Sequence, residues 1–322
     1  MDTNLETSGH PDKRVLKAAG AEWPALPFAE WKDTYATLHM WTQIVGKIRL
    51  SHSPWINHSW HVPLYVTSRG LTTSLITSKP LSFQIDFDFV DHSLIIDTVT
   101  GDRRVLPLAA RSVADFFAEV TRALAEVGIE TRINTMPCEV SDPIPFEQDR
   151  AHQSYDPEYA NRLWRALVQA ARILNQFRAA YIGKCSPVHF FWGSFDLAVT
   201  RFSGRRAPPH PGGVPYLPDW VAREAYSHEV SSCGFWPGSE LLPYPAFYAY
   251  AYPEPAGYPM AKVPPHASYN QALHEFILPY DKVREAQAPD TLLLEFLQAT
   301  YGAAADLGTW DRASLERPAG LP

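Results

Sequence analysis

The sequence lacks the features that mark several large classes of protein. It contains no run of about 18 apolar residues, the length that a membrane-spanning helix needs. Of its 322 residues 46% are hydrophobic, which is too many for a disordered chain. It also lacks an excess of positive charge, because 28 Lys and Arg stand against 35 Asp and Glu, for a formal net charge of −7. We therefore expect neither a membrane protein nor a protein whose main task is to bind nucleic acid.

Cysteine is also scarce. The three cysteines, Cys138, Cys185 and Cys233, form no C-x-x-C pair, and an odd, sparse count is typical of proteins from a reducing compartment. The first residues, MDTNLETSGHPDKR, contain no apolar core of a signal peptide. We therefore expect a cytoplasmic protein.

Motifs that would name a cofactor are missing as well. The sequence contains no H-E-x-x-H, no Walker motif and no G-x-G-x-x-G. A divalent metal bound by scattered histidines stays open, since neutral imidazole is the commonest metal ligand. The oligomeric state stays open too.

Proline and aromatic residues are the two compositional excesses. There are 29 prolines, about 9% against an average near 5%, and aromatic residues make up 13% of the chain. Because the prolines are interleaved with Trp, Tyr and Phe, which favour burial, they indicate rigid loops over a folded body. Residues 205–265 hold thirteen of the prolines, and long ordered loops are often functional.

Apolar positions at helical spacing predict four helices. One of them has Asp156 as its N-cap, Pro157 at its first position and Gly183 after its end. Another has Ser112 as its N-cap and Gly128 after its end. The predicted helices span residues 29–49, 113–127, 157–182 and 291–306.

Alternating apolar and polar residues predict strands between the helices. From Leu81 to Phe89 the alternation is strict, which is typical of a half-buried strand. Its neighbours complete an antiparallel meander with a turn at Gly101. Residues 188–202 are apolar on both faces and predict a single central strand. The other predicted strands cover residues 60–67, 71–77, 93–99, 103–108, 225–233 and 246–252.

These elements predict an α+β fold of two similar halves, each an antiparallel β-sheet with flanking helices. A Ser-Pro pair, a Trp and the pattern Leu-x-Val-Thr follow both the first and the third helix, so that Trp60 and Trp192 would correspond. This order favours an internal duplication, although many α+β proteins repeat such an order by chance. The predicted divisions are a disordered or extended tail 1–22, a first half 23–135, a linker 136–156, a second half 157–312 with a Pro-rich loop 205–265, and a tail 313–322.

Four long segments carry a resemblance to a known family. They read SPWINHSWHVPLYVTSRGLTT, KCSPVHFFWGSFDLAVTRFSGRRAPPHPGG, EAYSHEVSSCGFWPG and AFYAYAYPEP. From about Trp23 to Trp310 the chain resembles the bacterial domain-of-unknown-function family 5996. The resemblance implies a bacterial, cytosolic protein, and it implies no activity.

Polar residues within the second half are the candidate catalytic groups. His189 and His228 lie in its long segments, and imidazole is a ready general base or metal ligand. Asp196 interrupts an apolar strand, so we expect it to be buried and paired with an arginine or a backbone N–H. It would orient the catalytic groups, and a purely structural ion pair is the alternative.

A Pro-rich segment closes the predicted pocket. The chain from Gly204 to Asp219 directly follows the strand of Asp196, and we expect it to fold back over the end of that strand and to enclose a concave pocket. Arg201 would hold an anionic group there. The residues predicted to bind the ligand are His61, Trp60, Trp192, Arg201, His210 and Phe235; the alternative is that these side chains are structural.

Three functions therefore stay open. The first is an enzyme that acts on a small anionic or carbonyl substrate in a pocket of histidine, arginine and aromatic residues. The second is a non-catalytic module that binds a small ligand, and the third is a module that contacts a protein partner through the Pro-rich loop. Convergence of the imidazoles would favour the first function, and an enclosed pocket without convergent polar groups would favour the second.

Overall fold

The computed structural model describes residues 22–318, which form an α+β fold with two antiparallel sheets. The predicted fold class is therefore confirmed. The predicted tail 1–22 lies, except for Glu22, outside the described residues, as do the last four positions of the tail 313–322. Within residues 22–318, every helix falls short of the length or the apolar character that a bilayer crossing requires.

The first sheet is a five-stranded meander in chain order. In its central strand Phe83, Ile85 and Phe87 are buried, and the polar residues between them are half-buried, as their alternation indicates. Gly101, at φ 90°, makes the predicted turn between the last two strands. The strands are β1 (Tyr65–Val66), β2 (Gly70–Thr72), β3 (Phe83–Asp88), β4 (Ser93–Thr98) and β5 (Arg103–Pro107).

The second sheet meets the first sheet edge to edge. Leu64, next to β1, and Phe190 exchange two backbone hydrogen bonds of 2.8 Å. The strands of the second sheet are β6 (His189–Phe191), β7 (Asp196–Arg206), β8 (His228–Trp236), β9 (Ala246–Tyr252), β10 (Ser268–Asn270) and β11 (Glu275–Pro279). Their order across the sheet is β10-β11-β9-β8-β7-β6, and every pair is antiparallel.

The prediction of one strand over residues 188–202 is wrong. The chain reverses between Phe191 and Asp196, so that β6 and β7 pair as an antiparallel hairpin. Phe195 adopts the left-handed backbone conformation at this reversal, with φ 56°. The apolar pattern is continuous because one face of the hairpin packs in the core and the other face lines an aromatic cavity.

Side-chain caps explain where two of the predicted helices begin. Ser112 Oγ accepts a hydrogen bond from Asp115 N (3.1 Å), and the Asp156 carboxylate accepts one from Glu158 N (2.8 Å). These bonds satisfy N–H groups that the first helical turn leaves unpaired. All four predicted helices are present, together with three short ones that the sequence pattern does not indicate. The helices are α1 (Phe28–His52), α2 (Val113–Glu126), α3 (Pro157–Ala179), α4 (Asp219–Ala225), α5 (Tyr280–Arg284), α6 (Pro289–Leu307) and α7 (Arg312–Leu315).

Helix α1 is buried on nearly every side. Every residue from Thr37 to Ile48 is buried, because the helix packs against both α2 and α3. Trp41 stacks on Phe116 of α2, with ring centroids 4.5 Å apart. The predicted linker also belongs to this core, since Phe146 is fully buried.

Helices α3 and α6 cover one face of the second sheet. Along β7, Leu197, Val199 and Arg201 point towards these helices, whereas Asp196 and Ala198 point away from them. The reason is the alternation of side chains along a strand. This alternation decides which residues of β7 reach the functional site.

The predicted duplication concerns the two sheets. Their first four strands follow chain order in both cases, but β5 completes the first sheet and β11 and β10 complete the second. Trp60 lies before β1, whereas Trp192 follows β6, so the two tryptophans hold different places in the strand order. The duplication stays a prediction, which superposition of residues 30–135 on residues 157–306 would test.

Candidate functional site

A cavity of about 820 Å³ lies on the face of the second sheet that α3 and α6 leave uncovered. Strands β7, β8 and β9 form its floor. The turn before β1 and the loop between α2 and α3 form its sides. Residues 207–226, which include α4 and which we name the roof segment, close it from above.

Four carboxyl side chains line the cavity. Glu254 is exposed and accepts a hydrogen bond from the Tyr269 hydroxyl. The other three come from three separate elements, and we call them the carboxyl cluster. Glu139 comes from the loop between α2 and α3, Asp196 from the start of β7 and Glu275 from the start of β11. The Asp196 carboxylate accepts hydrogen bonds from the hydroxyls of Ser194 (2.5 Å) and Tyr248. No Lys or Arg of residues 22–318 forms an ion pair with any of the three carboxyls.

Burial shifts the titration of this cluster towards neutral pH. It raises the pKa of Asp196 to about 6, against the hydrogen bonds from Ser194 and Tyr248, which lower it. Burial, with the neighbouring Asp196 carboxylate as the second cause, raises the pKa of Glu139 to about 7 and that of Glu275 to about 8. The cluster therefore takes up and releases protons in the range where most proteins work.

A buried amide side chain positions the loop that carries Glu139. Gln43 of α1 donates to Cys138 O (2.8 Å) and accepts from Cys138 N (3.0 Å). On the other side, Glu139 N donates to Pro215 O (2.9 Å). Helix α1, Glu139 and the roof segment are thus linked by hydrogen bonds.

Tyrosine side chains form the floor beside the carboxyl cluster. Tyr248 and Tyr250 of β9 point to the same face and stack with ring centroids 6.1 Å apart. The Trp236 ring lies 4.9 Å from that of Tyr248, and the hydroxyls of Tyr226 and Tyr250 are hydrogen-bonded at 2.8 Å. The floor is therefore aromatic, and the Tyr248 hydroxyl connects it to the Asp196 carboxylate.

Aromatic contacts fix the roof segment over the cavity. Trp55 Nε1 donates to Glu224 Oε2 (2.7 Å), and the Trp55 ring lies 4.6 Å from that of Trp220. Residues 207–218 contain no helix or strand, as their proline content indicates. The Pro-rich segment is therefore an ordered cover that is attached at its helical end.

Several residues of the cavity wall adopt the left-handed backbone conformation that favours glycine. Such residues cost roughly 1 kcal/mol or more each, and they cluster at functional sites. Five of them line the cavity: His58 (φ 59°), Ser59 (φ 58°), Glu139 (φ 60°), Tyr216 (φ 54°) and His274 (φ 56°).

Sequence comparison adds one finding to this geometry. The Family of unknown function (DUF5996) matches residues 23–317. The chain belongs to this family. The comparisons with curated proteins and with solved structures gave no match. Membership in DUF5996 confirms the resemblance seen in the sequence, and the activity has to be argued from the cavity.

The cavity of this DUF5996 chain contains five of the predicted site residues. His189, Asp196, Trp60, Trp192 and His210 all lie in its wall. They come from the turn before β1, from the β6–β7 hairpin and from the roof segment. Folding therefore joins three distant parts of the chain at one site.

Two predicted histidines lie near the cavity but outside its wall. The His228 ring, at the start of β8, is 6.1 Å from the ring of His58, which does line the cavity. His61 is buried, and its Nδ1 accepts a hydrogen bond from Ile56 N at 3.2 Å. The His61 ring packs 4.4 Å from the ring of Trp55. These two side chains therefore support the wall from behind.

Arg201 and Phe235 point to the opposite face of the second sheet, contrary to expectation. Arg201 lies five residues after Asp196 on the same strand, and an odd separation puts two side chains on opposite faces. Phe235 is fully buried against Phe247, whereas the next residue, Trp236, lines the cavity. Asp196 is buried, as expected, and of its two expected partners the backbone N–H is present, in the form of its own N–H, whereas the arginine is not. Its side-chain partners are the hydroxyls of Ser194 and Tyr248.

The rings of His189, His210 and His228 do not contact one another. His189 is 1% exposed, and neither of its ring nitrogens has a hydrogen-bond partner among the described residues. Burial, followed by the charges of Arg49 and Arg178, lowers the pKa of His189 to about 3, so the ring is neutral at pH 7. In the part of the chain that the structure describes, no three His, Cys, Asp or Glu side chains are placed to hold a metal ion.

The carboxyl cluster is only partly visible in the sequence. Asp196 stands out because it interrupts an apolar strand. Glu139 lies in the predicted linker, and Glu275 begins a strand that the pattern does not indicate. A signal does exist for Tyr248 and Tyr250, since alternating tyrosines in AFYAYAY must share one face of a strand.

Gly46→Ala is expected to destabilise the protein although it replaces a glycine inside a helix. In an open helix position this change gains about 1 kcal/mol. At Gly46, however, an added Cβ would lie 2.2 Å from the Trp192 ring, and overpacking of this kind costs about 1–3 kcal/mol. Urea unfolding measures whether the free energy of unfolding falls or rises.

Gly302→Ala in α6 is the matched control, because nothing lies within 4 Å of its added Cβ. It should be neutral or stabilising by up to about 1 kcal/mol. Equal effects of the two changes would show that Trp192 does not fill the space beside Gly46.

Proposed function

We propose that this protein binds a small organic molecule in the cavity of the second sheet. The observation that carries the proposal is that an aromatic floor and the carboxyl cluster line one cavity of about 820 Å³ beneath the roof segment. Pockets for small ligands typically measure about 300–1,000 Å³ and combine apolar walls with a few directed polar groups. We favour the second function over the first because the imidazoles, whose convergence would have favoured an enzyme, do not contact one another.

The aromatic side chains suit a ligand with a flat or apolar body. The rings of Trp236, Tyr248 and Tyr250 pack side by side along the floor, and Trp60 and Trp192 lie in the wall. Tyrosine and tryptophan offer large contact areas together with a polar edge. They would hold the body of the ligand while the carboxyls orient it.

An anionic substrate fits this cavity poorly. The anion clamp expected from Arg201 lies on the other face of the sheet. Among the described wall residues Lys47 is the single Lys or Arg, and its Nζ already donates to Met136 O (2.6 Å). The charged groups that remain are carboxyls, which repel anions.

Acid–base catalysis is a second candidate, favoured by the pKa values of the cluster. Groups that titrate near the working pH are the most effective proton donors and acceptors. Burial, with the Asp196 charge as a second cause for Glu139 and Glu275, spreads the pKa values of the three groups from about 6 to about 8, so protonated and ionised carboxyls coexist at neutral pH. Mass spectrometry of protein–ligand mixtures, with new product as the readout, would distinguish an enzyme from a binding protein.

We also propose a cytoplasmic, bacterial setting. The three cysteines are all free thiols in the structure, which supports the expectation of a reducing compartment. The bacterial origin rests on the family resemblance.

Filling the cavity should abolish binding. Ala198 lies in the cavity floor and is 4% exposed, so Ala198→Trp would occupy the space of the ligand. In a thermal-shift screen of small aromatic fragments, a bound fragment at about 100 times its Kd should stabilise the wild-type protein by about 2.7 kcal/mol. The variant should lose this stabilisation.

Ala110→Trp is the matched control, because Ala110 is exposed and distant from the wall. It should keep the response to every fragment, and circular dichroism should show both variants folded. Fragments that stabilise Ala198→Trp as much as the control would place binding elsewhere, and a screen without any response would contradict the proposal.

A further inference from the structure

The carboxyl cluster is an uncompensated charge inside the protein. Glu139, Asp196 and Glu275 share one cavity, and no Lys or Arg of the described range is paired with them. Several surface carboxylates of this chain, by contrast, are paired, as Asp97 is with Arg103 at 2.6 Å. Buried carboxylates normally have a cation or several hydrogen-bond donors beside them. Lys47, the single Lys or Arg in the described wall, donates to Met136 O instead, so the chain supplies no cation to these carboxyls.

Hydrogen-bonding capacity is also unused in the cavity wall. Oε2 of Glu275 is buried without a partner, and the structure places no hydrogen-bond donor on the Glu139 carboxyl. Independently, His189 in the same wall is 1% exposed with both ring nitrogens unpartnered. Buried polar groups in native proteins are nearly always paired. A ligand with several N–H donors would supply partners that the chain itself lacks.

The rings beside the cluster suit a cation as well. Tyr248 donates to Asp196 and stacks with Tyr250. Glu275 directly precedes Phe276, which pairs with Ala249 between these two tyrosines. The faces of aromatic rings attract cations, and the attraction grows when water is excluded. Carboxylates and ring faces together are the two kinds of group that bind organic ammonium ions in proteins.

We propose that the ligand is an organic cation, a primary amine or a guanidine on a flat apolar body, with its positive group among Glu139, Asp196 and Glu275. This inference rests on the proposed function, since it names the class of molecule that the cavity binds. Without a ligand, the raised pKa values of Glu139 and Glu275 let the cluster hold protons instead of a cation. Binding of the cation would expel those protons, so affinity should rise between about pH 6 and pH 8.

Three compounds that share a phenyl ring and a short chain test whether the charge of the ligand determines its affinity. Phenethylamine is a cation, phenethyl alcohol is neutral and hydrocinnamate is an anion. At about pH 8, calorimetry should show the amine binding at least about tenfold more tightly than the alcohol, and the anion more weakly than both. Equal affinities of amine and alcohol would overturn the cation assignment and leave the binding function intact.

Variants that remove charge at constant shape locate the subsite. Glu275→Gln and Asp196→Asn should each lower the affinity for phenethylamine by about tenfold. The affinity for phenethyl alcohol should not change, because only the cation loses a charged partner. Glu295→Gln, at an exposed position of α6, is the control and should change neither affinity. If both cavity variants bind the amine as the wild-type protein does, the cluster is not the cation site. If no compound of this set or of the fragment screen binds, the inference and the proposed function both fall.

Discussion

Arg201→Ala is expected to lower the free energy of unfolding by about 3–5 kcal/mol, the range for truncating a large buried side chain. Arg201 is 1% exposed, its Cζ lies 3.4 Å from the ring centroid of Phe177 and 4.3 Å from that of Tyr301, and its Nη2 donates to Phe177 O. Alanine would leave a hole between β7 and the helices α3 and α6, and it would leave a buried carbonyl without its donor. Urea unfolding at neutral pH measures the loss.

Two further variants separate packing from charge at this position. Arg201→Met keeps much of the apolar volume and removes a charge whose burial is costly, so it should lose less than Arg201→Ala. Arg206→Ala, at the exposed end of the same strand, should change the unfolding free energy by less than about 0.5 kcal/mol. An Arg201→Ala variant as stable as Arg206→Ala would mean that the ring contacts do not hold the sheet to its helices. Ligand binding by folded Arg201→Met should match the wild-type protein, because Arg201 is not in the cavity.

Glu275→Gln is expected to stabilise the protein at high pH and to be neutral at low pH. Burial, followed by the Asp196 charge, raises the pKa of Glu275 from 4.5 to about 8 in the folded chain. Below about pH 4.5 Glu275 carries its proton in both the folded and the unfolded chain, so it does not change the free energy of unfolding. As the pH rises to about 8 the unfolded chain releases the proton first, and the wild-type protein loses up to about 1.4 kcal/mol per pH unit. Glutamine escapes this loss, so the advantage of the variant should grow across that window and then level off.

Urea unfolding at several pH values gives this difference curve directly. Glu295→Gln supplies the exposed control and should give a flat difference. A difference for Glu275→Gln that stays flat, or that falls as the pH rises, would mean that Glu275 is held as a stabilised carboxylate. Such a result would contradict the uncompensated cluster. Glu275→Gln should therefore be more stable than the wild-type protein at high pH and bind the amine more weakly. Functional sites often lower the stability of a protein in this way.

Whether a predicted site residue lines the cavity depends on which face of its strand its side chain occupies. Asp196 and Trp192 were found from the sequence because a carboxylate and a large ring stand out in an apolar segment. Arg201 and Phe235 stand out equally, but they occupy positions of opposite parity on β7 and β8. Once the two strands are placed, the alternation of side chains alone assigns Arg201 to the core. The single strand predicted over residues 188–202 hid the hairpin turn, which is the feature that defines where β7 begins.

The carboxyl cluster was beyond reach of the sequence because its members share no local pattern. Glu139 reaches the cavity through bonds from Gln43 and to Pro215, which lie in distant segments. Glu275 reaches it because β11 pairs with β9 and not with a neighbour in sequence. Strand order arises from contacts between remote residues, and a single sequence contains no direct record of them.

The sequence by itself determined the α+β class, the starts of α2 and α3, the alternation of β3 and of the tyrosines in β9, and the family. The helix starts and the alternations depend on interactions between residues within about four positions of one another, such as a cap or a shared strand face. The class and the family follow from the order of such local patterns along the chain. Only the tertiary structure decided that β6 and β7 form a hairpin, that the roof segment covers an aromatic floor, and that the three carboxyls of the cluster line one cavity without a paired cation. The raised pKa values of that cluster depend on burial, and burial exists only after distant elements have packed.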